Sequence, residues 1–227
     1  MLNIQVQEFL SDLKNHSDSE KAKGIAGYLK TSRLSFIGVR LPLIHKTIKK
    51  HIKEIPIDRL PDFMKSIWKE RVFEVRRAAI DVMEKYVKTG DVDVALHIMS
   101  MWIDDIDTWA LMDPLCSPCL GTLLLRDEEL EKTFLEWQTS SNFWRRRASV
   151  LPYLHLAKKT FYKIEYTTQI LKIVSPHISD KEFFVGKAAA WVIRELSKRN
   201  PDAVREFIEK NKEKMTPLVI REGGRLL

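Results

Sequence analysis

The apolar positions along most of the chain recur with the period of an α-helix. Val82, Met83 and Tyr86 fall on one side of one segment, and Ala188 and Trp191 step along one side of another. Spacings of three and four residues are typical of amphipathic helices. A two-residue alternation bounded by turn signals, as a β-strand needs, is absent; FYKIEY at residues 161–166 comes nearest. We therefore predict an all-α fold.

Short polar segments, prolines and a few glycines divide this pattern into helix-sized pieces. The segment Ser17-Asp18-Ser19-Glu20 predicts a helix start, with the spacing of a capping box at Ser17 and Glu20. Further breaks fall at Pro56, Gly90, Pro176, Pro201 and Pro217. The pieces between them predict about a dozen helices joined by short connections.

Five short units recur along the chain, each with an aromatic residue first and a charged residue four positions later. They are FIGVR (Phe36 to Arg40), FEVRR (Phe73 to Arg77), WALMD (Trp109 to Asp113), FWRRR (Phe143 to Arg147) and FFVGK (Phe183 to Lys187). Starts at 36, 73, 109, 143 and 183 give spacings of 37, 36, 34 and 40 residues. A period of this size, filled by helix pairs, indicates a HEAT-like helical-repeat solenoid. Chance recurrence of common residue types is the alternative. We predict one HEAT-like-repeat domain over residues 1–227.

The charged slots carry the first functional prediction. Equivalent positions of stacked repeats line up along one surface, and solenoids bind partners along their concave face. Four slots are basic, which predicts a concave basic groove suited to a phosphate backbone. The slots are Arg40, Arg77, Arg147 and Lys187, and Arg145, Arg146, Arg194 and Lys198 extend them. For any one of these residues, the alternative is an ordinary solvated charge.

Composition agrees with a polyanionic partner in a reducing compartment. Thirty-eight Lys and Arg against 31 Asp and Glu give a net charge of +7, with a pI near 9.3. A basic chain favours nucleic acid or an anionic membrane. Two cysteines suggest no disulfide framework, and the N-terminal residues do not resemble a signal peptide. No uncharged apolar segment is long enough to span a membrane. We expect a cytoplasmic protein that binds no membrane.

Metal and cofactor chemistry receives little support. Cys116 and Cys119 form one isolated C-x-x-C pair, without the second pair or the histidines that a zinc site needs. A thioredoxin-like role for this pair would need a strand–helix setting. No H-E-x-x-H motif and no glycine-rich phosphate loop occurs. We predict no metal and no cofactor.

Over nearly its whole length the chain resembles the AlkD family, the HEAT-like-repeat DNA alkylation-repair glycosylases. The resemblance is carried by FIGVRLP (36–42), WALMD with CLG after it (109–113 and 119–121), NFWRRRA (142–148) and KEFFVGKAAAWVIRE (181–195). It implies that Asp113 is the catalytic carboxylate and that Trp109 and Trp191 flank it. It implies that Arg147 contacts the DNA backbone near the lesion and that Tyr28 lies near the site.

The family's activity explains why one slot in five is acidic. The resemblance implies excision of N3- and N7-alkylated purines from double-stranded DNA, without drawing the base into a pocket. An alkylated purine is already cationic and leaves readily, so the enzyme must stabilise the growing positive charge on the sugar. A carboxylate does this and can hold the attacking water, and tryptophan faces also attract cations. No protein partner is implied, and we expect a monomer.

Other interpretations stay open, one of Asp113 and two of the whole protein. Asp113 followed by Pro114 also has the pattern of a helix N-cap with proline at the first helical position. Pro114 departs from the family pattern and restricts the conformation of the residue before it. The protein could therefore be a non-catalytic relative that binds damaged or branched DNA on the same surface. A protein-binding HEAT scaffold is a third hypothesis, which would not need the basic row.

Overall fold

The computed structural model of the protein describes residues 2–227. Within these residues, 73% of the chain is helical and no β-strand occurs, which confirms the all-α prediction. An isolated parallel β-bridge joins Ser35 to Val72. Each described helix is too short or too polar to cross a lipid bilayer.

Contacts divide the chain into two compact units, one ending at Leu115 and one running from Cys116 to Leu227. The single-domain assignment stays a prediction. The helices of unit 1 are α1 (Leu2–Lys14), α2 (Ser19–Tyr28), α3 (Leu41–His51), α4 (Leu60–Trp68), α5 (Phe73–Tyr86), α6 (Val92–Asp105) and α7 (Trp109–Pro114). The helices of unit 2 are α8 (Gly121–Arg126), α9 (Glu131–Trp137), α10 (Phe143–Leu156), α11 (Tyr166–Val174), α12 (Phe183–Ser197), α13 (Pro201–Asn211) and α14 (Pro217–Gly223).

Four of the five aromatic slots begin a helix. They are Phe73 of α5, Trp109 of α7, Phe143 of α10 and Phe183 of α12, so the charged slot is the fifth residue of each helix. Phe36 is the exception, because it precedes α3 in a non-helical segment and Arg40 is the N-cap of α3. The expectation that all five units are equivalent is therefore wrong for the first.

Backbone crowding explains why the first unit differs. Gly38 has a φ of 80°, a conformation that side chains rarely tolerate. A Cβ atom at this position would lie 2.0 Å from the carbonyl oxygen of Asp18. The N-cap of α2 differs from the capping-box prediction. The Asp18 side chain accepts hydrogen bonds from the N–H groups of Glu20 and Lys21, so the N-cap is Asp18 and not Ser17.

Hydrogen bonds between neighbouring repeats recur at the repeat spacing. The buried carboxylate of Glu74 accepts bonds from the N–H groups of Ile37 and Gly38, 37 and 36 residues away. In unit 2, the Gln138 side chain donates to the carbonyl oxygen of Ile173, 35 residues away. Similar separations in both units agree with the helical-repeat fold.

Each unit has its own apolar core. In unit 1, α3 and α4 pack on α5, and Phe63, Met64 and Ile80 are fully buried between them. In unit 2, α12 packs on α10 and α14, and Leu151 and Ile193 are fully buried. Each such side chain contributes about 1.5–3 kcal/mol by leaving water, and this burial fixes the helices that carry the functional residues.

Candidate functional site

Helix α7 carries the acidic slot. The fully buried Thr108 is its N-cap, and its side chain accepts a hydrogen bond of 3.4 Å from the Ala110 N–H. Asp113 is the fifth residue of the helix, so the alternative interpretation of Asp113 as an N-cap is wrong. Trp109 and Asp113 are both half-buried, and their i, i+4 spacing places them on one face of α7.

Pro114 ends α7, and the backbone continues as a wider π-helical turn, Leu115–Leu120, which contains Pro118. The Leu115 N–H is shared between the carbonyl oxygens of Leu111 and Met112. A proline has no N–H for the helical ladder, and a π-turn is a common way to rearrange that ladder, frequently at functional sites. The chain therefore changes its hydrogen-bonding pattern immediately after Asp113.

An aromatic pair lies at the start of α7. The rings of Tyr28 and Trp109 meet edge to face, with centroids 5.8 Å apart and planes at 83°. Tyr28 is the last residue of α2 and is 71% exposed. The structure thus brings together two of the predicted site residues, and the ring of Tyr28 remains open to a ligand.

Asp107, which the sequence patterns did not indicate, holds this arrangement. Its carboxylate accepts a bond of 2.8 Å from the Ser32 hydroxyl and one of 2.6 Å from the Arg33 N–H. These bonds fasten the segment after α2 to the residue two positions before Trp109. The signal in the sequence, an acid just ahead of an aromatic slot, recurs at Asp180 before Phe183.

The basic slots of unit 1 have different environments. Arg40 is exposed and lines a depression of about 430 Å³ together with His16 and Lys21. Arg77 is only 9% exposed, and its guanidinium pairs with Asp81 one turn later on α5. The charge of Arg77 is therefore paired within unit 1, and the role of Arg77 in DNA binding stays a prediction.

Arg76, the neighbour of Arg77, has a structural role that the sequence did not reveal. Its guanidinium lies 2.6 Å from a carboxylate oxygen of Asp105 and 4.7 Å from the centre of the Trp68 ring. Trp68 in turn stacks on Trp102 at 4.1 Å and donates its indole N–H to Asp105. This cluster ties α4, α5 and α6 together, and it uses two of the six tryptophans in packing.

The three consecutive arginines of α10 point to different partners within unit 2. The Arg145 guanidinium lies 5.5 Å from the centre of the Trp137 ring. Arg146 places Nε 2.8 Å from an Asp180 oxygen, the same kind of pairing that Arg76 makes with Asp105. Arg147 is 3% exposed and donates to the carbonyl oxygen of Phe184.

Helix α12 presents a half-exposed strip. Lys187, Trp191 and Arg194 follow one another at i, i+4 and i+7, which places them on one face. Glu222 of α14 lies 3.2 Å from Lys187 and 3.4 Å from Arg194. Hydrogen bonds from Lys187 and Arg221 hold the pKa of Glu222 below its usual value, so this carboxyl offsets part of the strip's positive charge.

Cys116 and Cys119 are fully buried. Within residues 2–227, no three His, Cys, Asp or Glu side chains converge in a way that could hold a metal ion.

Known proteins share the architecture of these two units. Residues 9–227 match the DNA alkylation repair enzyme family. A predicted DNA alkylation repair enzyme from Enterococcus faecalis superimposes with a TM-score of 0.80 at 23% identity, over 93% of this chain and 97% of that one. AlkD2 from Streptococcus mutans superimposes with a TM-score of 0.66 at 16% identity, over 83% of this chain and 90% of that one. No curated protein sequence matches the chain.

The structural likenesses, at these identities, establish the fold, and the sequence match establishes the family. The match takes in every helix from α2 to α14, including α7 with its acidic slot and α12 with its basic strip. By the match of its sequence from residue 9 to residue 227, the chain belongs to the DNA alkylation repair enzyme family.

Proposed function

We propose that the protein is a DNA N-glycosylase that excises N3- and N7-alkylated purines from double-stranded DNA. Membership of the family supports a role in alkylation repair. The observation that carries the finer proposal is an acid, Asp113, in the helical position that holds Arg77, Arg147 and Lys187 in the other repeats. A basic residue suits phosphate, and an acid in the equivalent position suits a cation.

The proposed reaction is hydrolysis of the N-glycosidic bond. Water adds to C1′ of the sugar, the bond to the purine breaks, and its electron pair neutralises the cationic base, which departs. One proton of the water is released. Asp113 stabilises the positive charge that grows on the sugar and orients the water. The reaction needs no cofactor, and no metal is proposed.

Aromatic side chains complete the proposed catalytic group. Trp109 shares a helix face with Asp113, and Tyr28 lies against Trp109 in unit 1. The π faces of these rings attract positive charge and pack on sugar C–H groups. We assign the same function to Trp191, which is half-buried on α12 in unit 2.

Basic residues on both units are proposed to bind the DNA backbone. Arg40 is exposed, and Lys187 and Arg194 remain partly accessible beside Glu222. The remaining proposed contacts are Arg77, Arg145, Arg146 and Arg147. The partner is duplex DNA carrying alkylated purines, and we expect the protein to act as a monomer, with the chromosome in the cytoplasm.

The decisive experiment measures release of free 7-methylguanine and 3-methyladenine from methylated duplex DNA. Asp113→Asn removes the charge and keeps the shape, so we expect release to fall by about 10²–10³-fold while DNA binding persists. Asp93→Asn, at an exposed position of α6, is the control for loss of one negative charge and should retain activity.

The alternative is a non-catalytic protein that binds damaged or branched DNA. Pro114 and the π-turn after it favour this alternative, because they alter the backbone directly beside Asp113. Salt-dependent DNA binding by the wild type, without any base release, would reject the glycosylase and support the alternative.

A further inference from the structure

A groove of about 420 Å³ lies between the C-terminal halves of α3 and α5 in unit 1. The proposed catalytic residues do not line it. Basic side chains surround it: His45, Lys49, Lys53, Lys85 and Lys88. We call it the lysine groove.

Two hydrogen bonds hold the walls of the lysine groove together. The Lys85 ammonium donates to the carbonyl oxygen of Ile52, at the end of α3, over 2.9 Å. His45 Nδ1 lies 2.5 Å from a carboxylate oxygen of Asp81 on α5. Between these bonds the buried side chains of Ile48 and Ile52 line the floor of the groove. The groove is therefore formed in advance of any ligand.

The groove has an excess of positive charge even though two acids line it. Four lysines face Asp81 and Glu84, so the net charge is 4 − 2 = +2 without the histidine. Asp81 is shared between Arg77 and His45, both of which contact it. Lys53 is within 3.8 Å of Glu54, but both side chains are about four-fifths exposed, and such surface pairs neutralise little.

We propose that the lysine groove binds the phosphodiester backbone of double-stranded DNA, with Lys49, Lys53 and Lys88 facing phosphate oxygens. The inference rests on the DNA-binding part of the proposed function. It moves the main backbone contact of unit 1 away from Arg77, whose guanidinium is buried against Asp81. Lys49 is exposed near the end of α3, and Lys53 and Lys88 are exposed just beyond the ends of α3 and α5.

The chemistry of the groove fits a nucleic-acid backbone. Phosphates recur along a strand at a regular spacing, and several lysines along the walls of one groove can neutralise them. A competing explanation is that lysines near helix C-termini only stabilise the helix dipole. Three exposed lysines elsewhere in unit 1 also lie near helix C-termini: Lys14, Lys65 and Lys69. Replacing them tests the helix-dipole explanation separately from the groove.

The test compares two triple variants of the full chain, K49Q/K53Q/K88Q in the groove and K14Q/K65Q/K69Q as the matched control. Both lose three positive charges at or just beyond the ends of helices. Affinity for an unmodified fluorescent duplex is measured from 50 to 200 mM NaCl. Three lost phosphate contacts should reduce the slope of log K against log salt by about 2.7. Across that range, wild type should lose about 40-fold more affinity than the groove variant. Circular dichroism checks that both variants fold.

Equal slopes for the two triple variants would overturn the proposal, as would a wild type that binds no duplex. An unchanged duplex slope in the groove variant, with lost binding to phosphatidylserine vesicles, would reassign the groove to a membrane surface and also overturn it. Base release is not read in this experiment. A chain that binds DNA through the groove yet releases no alkylated base would reject the glycosylase and leave this inference standing.

Discussion

The ring of Tyr28 meets the ring of Trp109 edge to face, at 5.8 Å between centroids. Tyr28 ends α2 and Trp109 begins α7, so this contact joins residues 81 positions apart. Edge-to-face pairs are worth about 0.5–1.5 kcal/mol beyond their burial, which is too little to hold an exposed ring in one place. Asp107, through Ser32 and Arg33, provides the additional constraint.

Replacing Asp107 by alanine should release Tyr28 from its position. The segment after α2 loses two hydrogen bonds, each worth about 1 kcal/mol, and amide hydrogen exchange in residues 29–35 should accelerate. If Tyr28 takes part in excision, base release should fall about ten- to a hundredfold, since small misplacements are that costly. Asp127→Ala, which removes the acid that caps a 3₁₀ turn at Glu128–Leu130 in unit 2, is the control. Faster exchange with unchanged release would exclude Tyr28 from the site.

Arg146 and Asp180 should be energetically coupled. A double-mutant cycle with Arg146→Ala and Asp180→Asn should give a coupling energy of about 1–3 kcal/mol. Both side chains are partly buried and their hydrogen bond is charge-assisted. The exposed pair Arg205 and Asp202 should give less than about 0.5 kcal/mol. Urea unfolding measures both cycles. Equal coupling in the two pairs would contradict the structural role of Arg146.

The same pair predicts a dependence on acid. Burial alone would raise the pKa of Asp180, but hydrogen bonds from Arg146 and from the Glu182 N–H outweigh burial and lower it. A lowered pKa stabilises the folded chain above the unfolded value of about 4, and this stabilisation is lost as the pH falls through the folded value. The stability difference between wild type and Asp180→Asn should therefore be constant near neutrality and should narrow below about pH 4. A constant difference down to about pH 2 would contradict it.

Arg147 should matter for stability as well as for any contact with DNA. Arg147→Ala removes a buried guanidinium and its hydrogen bond to the Phe184 carbonyl oxygen, and hydrogen bonds of charged groups contribute about 1.5–3 kcal/mol. Arg145→Ala, in the half-buried neighbour that lies over Trp137, should cost less. Urea midpoints compare the two variants. Equal losses would show that burial of Arg147 contributes nothing of its own.

The helical period and the repeat spacing could be predicted from the sequence because both are regular patterns of residue type along the chain. Aromatic residues at 73, 109, 143 and 183 each begin a helix, as local patterning indicates. The same pattern failed at Phe36, where the deciding contact is between Gly38 and the distant Asp18. Local sequence cannot reveal a contact of that kind.

The direction in which each charged slot faces was also beyond the sequence. Arg77, Arg147 and Lys187 occupy the same helical position, yet the first two are buried and the third is half-exposed. Their partners decide the difference. Arg147 finds a carbonyl oxygen 37 residues later, and Lys187 pairs with Glu222 of the last helix. Only packing of the repeats brings these groups together.

Two buried histidines should make unit 2 sensitive to mild acid. Burial lowers the pKa of His177 to about 4, and burial also lowers the pKa of His155 to about 4. His177 is held by Ser149, with 3.1 Å between Oγ and Nε2, and His155 stacks on Phe161 at 4.2 Å. Both environments favour the neutral ring.

The direction of this pH dependence follows from the histidine pKa values in the unfolded and folded states. An unfolded histidine takes up its proton near about pH 6.5, whereas each folded ring resists until about pH 4. Stability is therefore complete above about pH 6.5 and declines as the pH falls towards 4, by at most about 3 kcal/mol for each histidine. At about pH 5 each should have lost about 2 kcal/mol.

His177→Asn should lower the unfolding free energy at about pH 7.5, because the bond to Ser149 is lost, yet reduce its further fall at about pH 5. His97→Asn, at an exposed position of α6, should retain the pH dependence of the wild type. Urea unfolding at the two pH values measures both. If His177→Asn and His97→Asn lose the same unfolding free energy from the higher to the lower pH, proton uptake at His177 does not cause the acid sensitivity. The burial of its ring then has no effect on stability in this pH range.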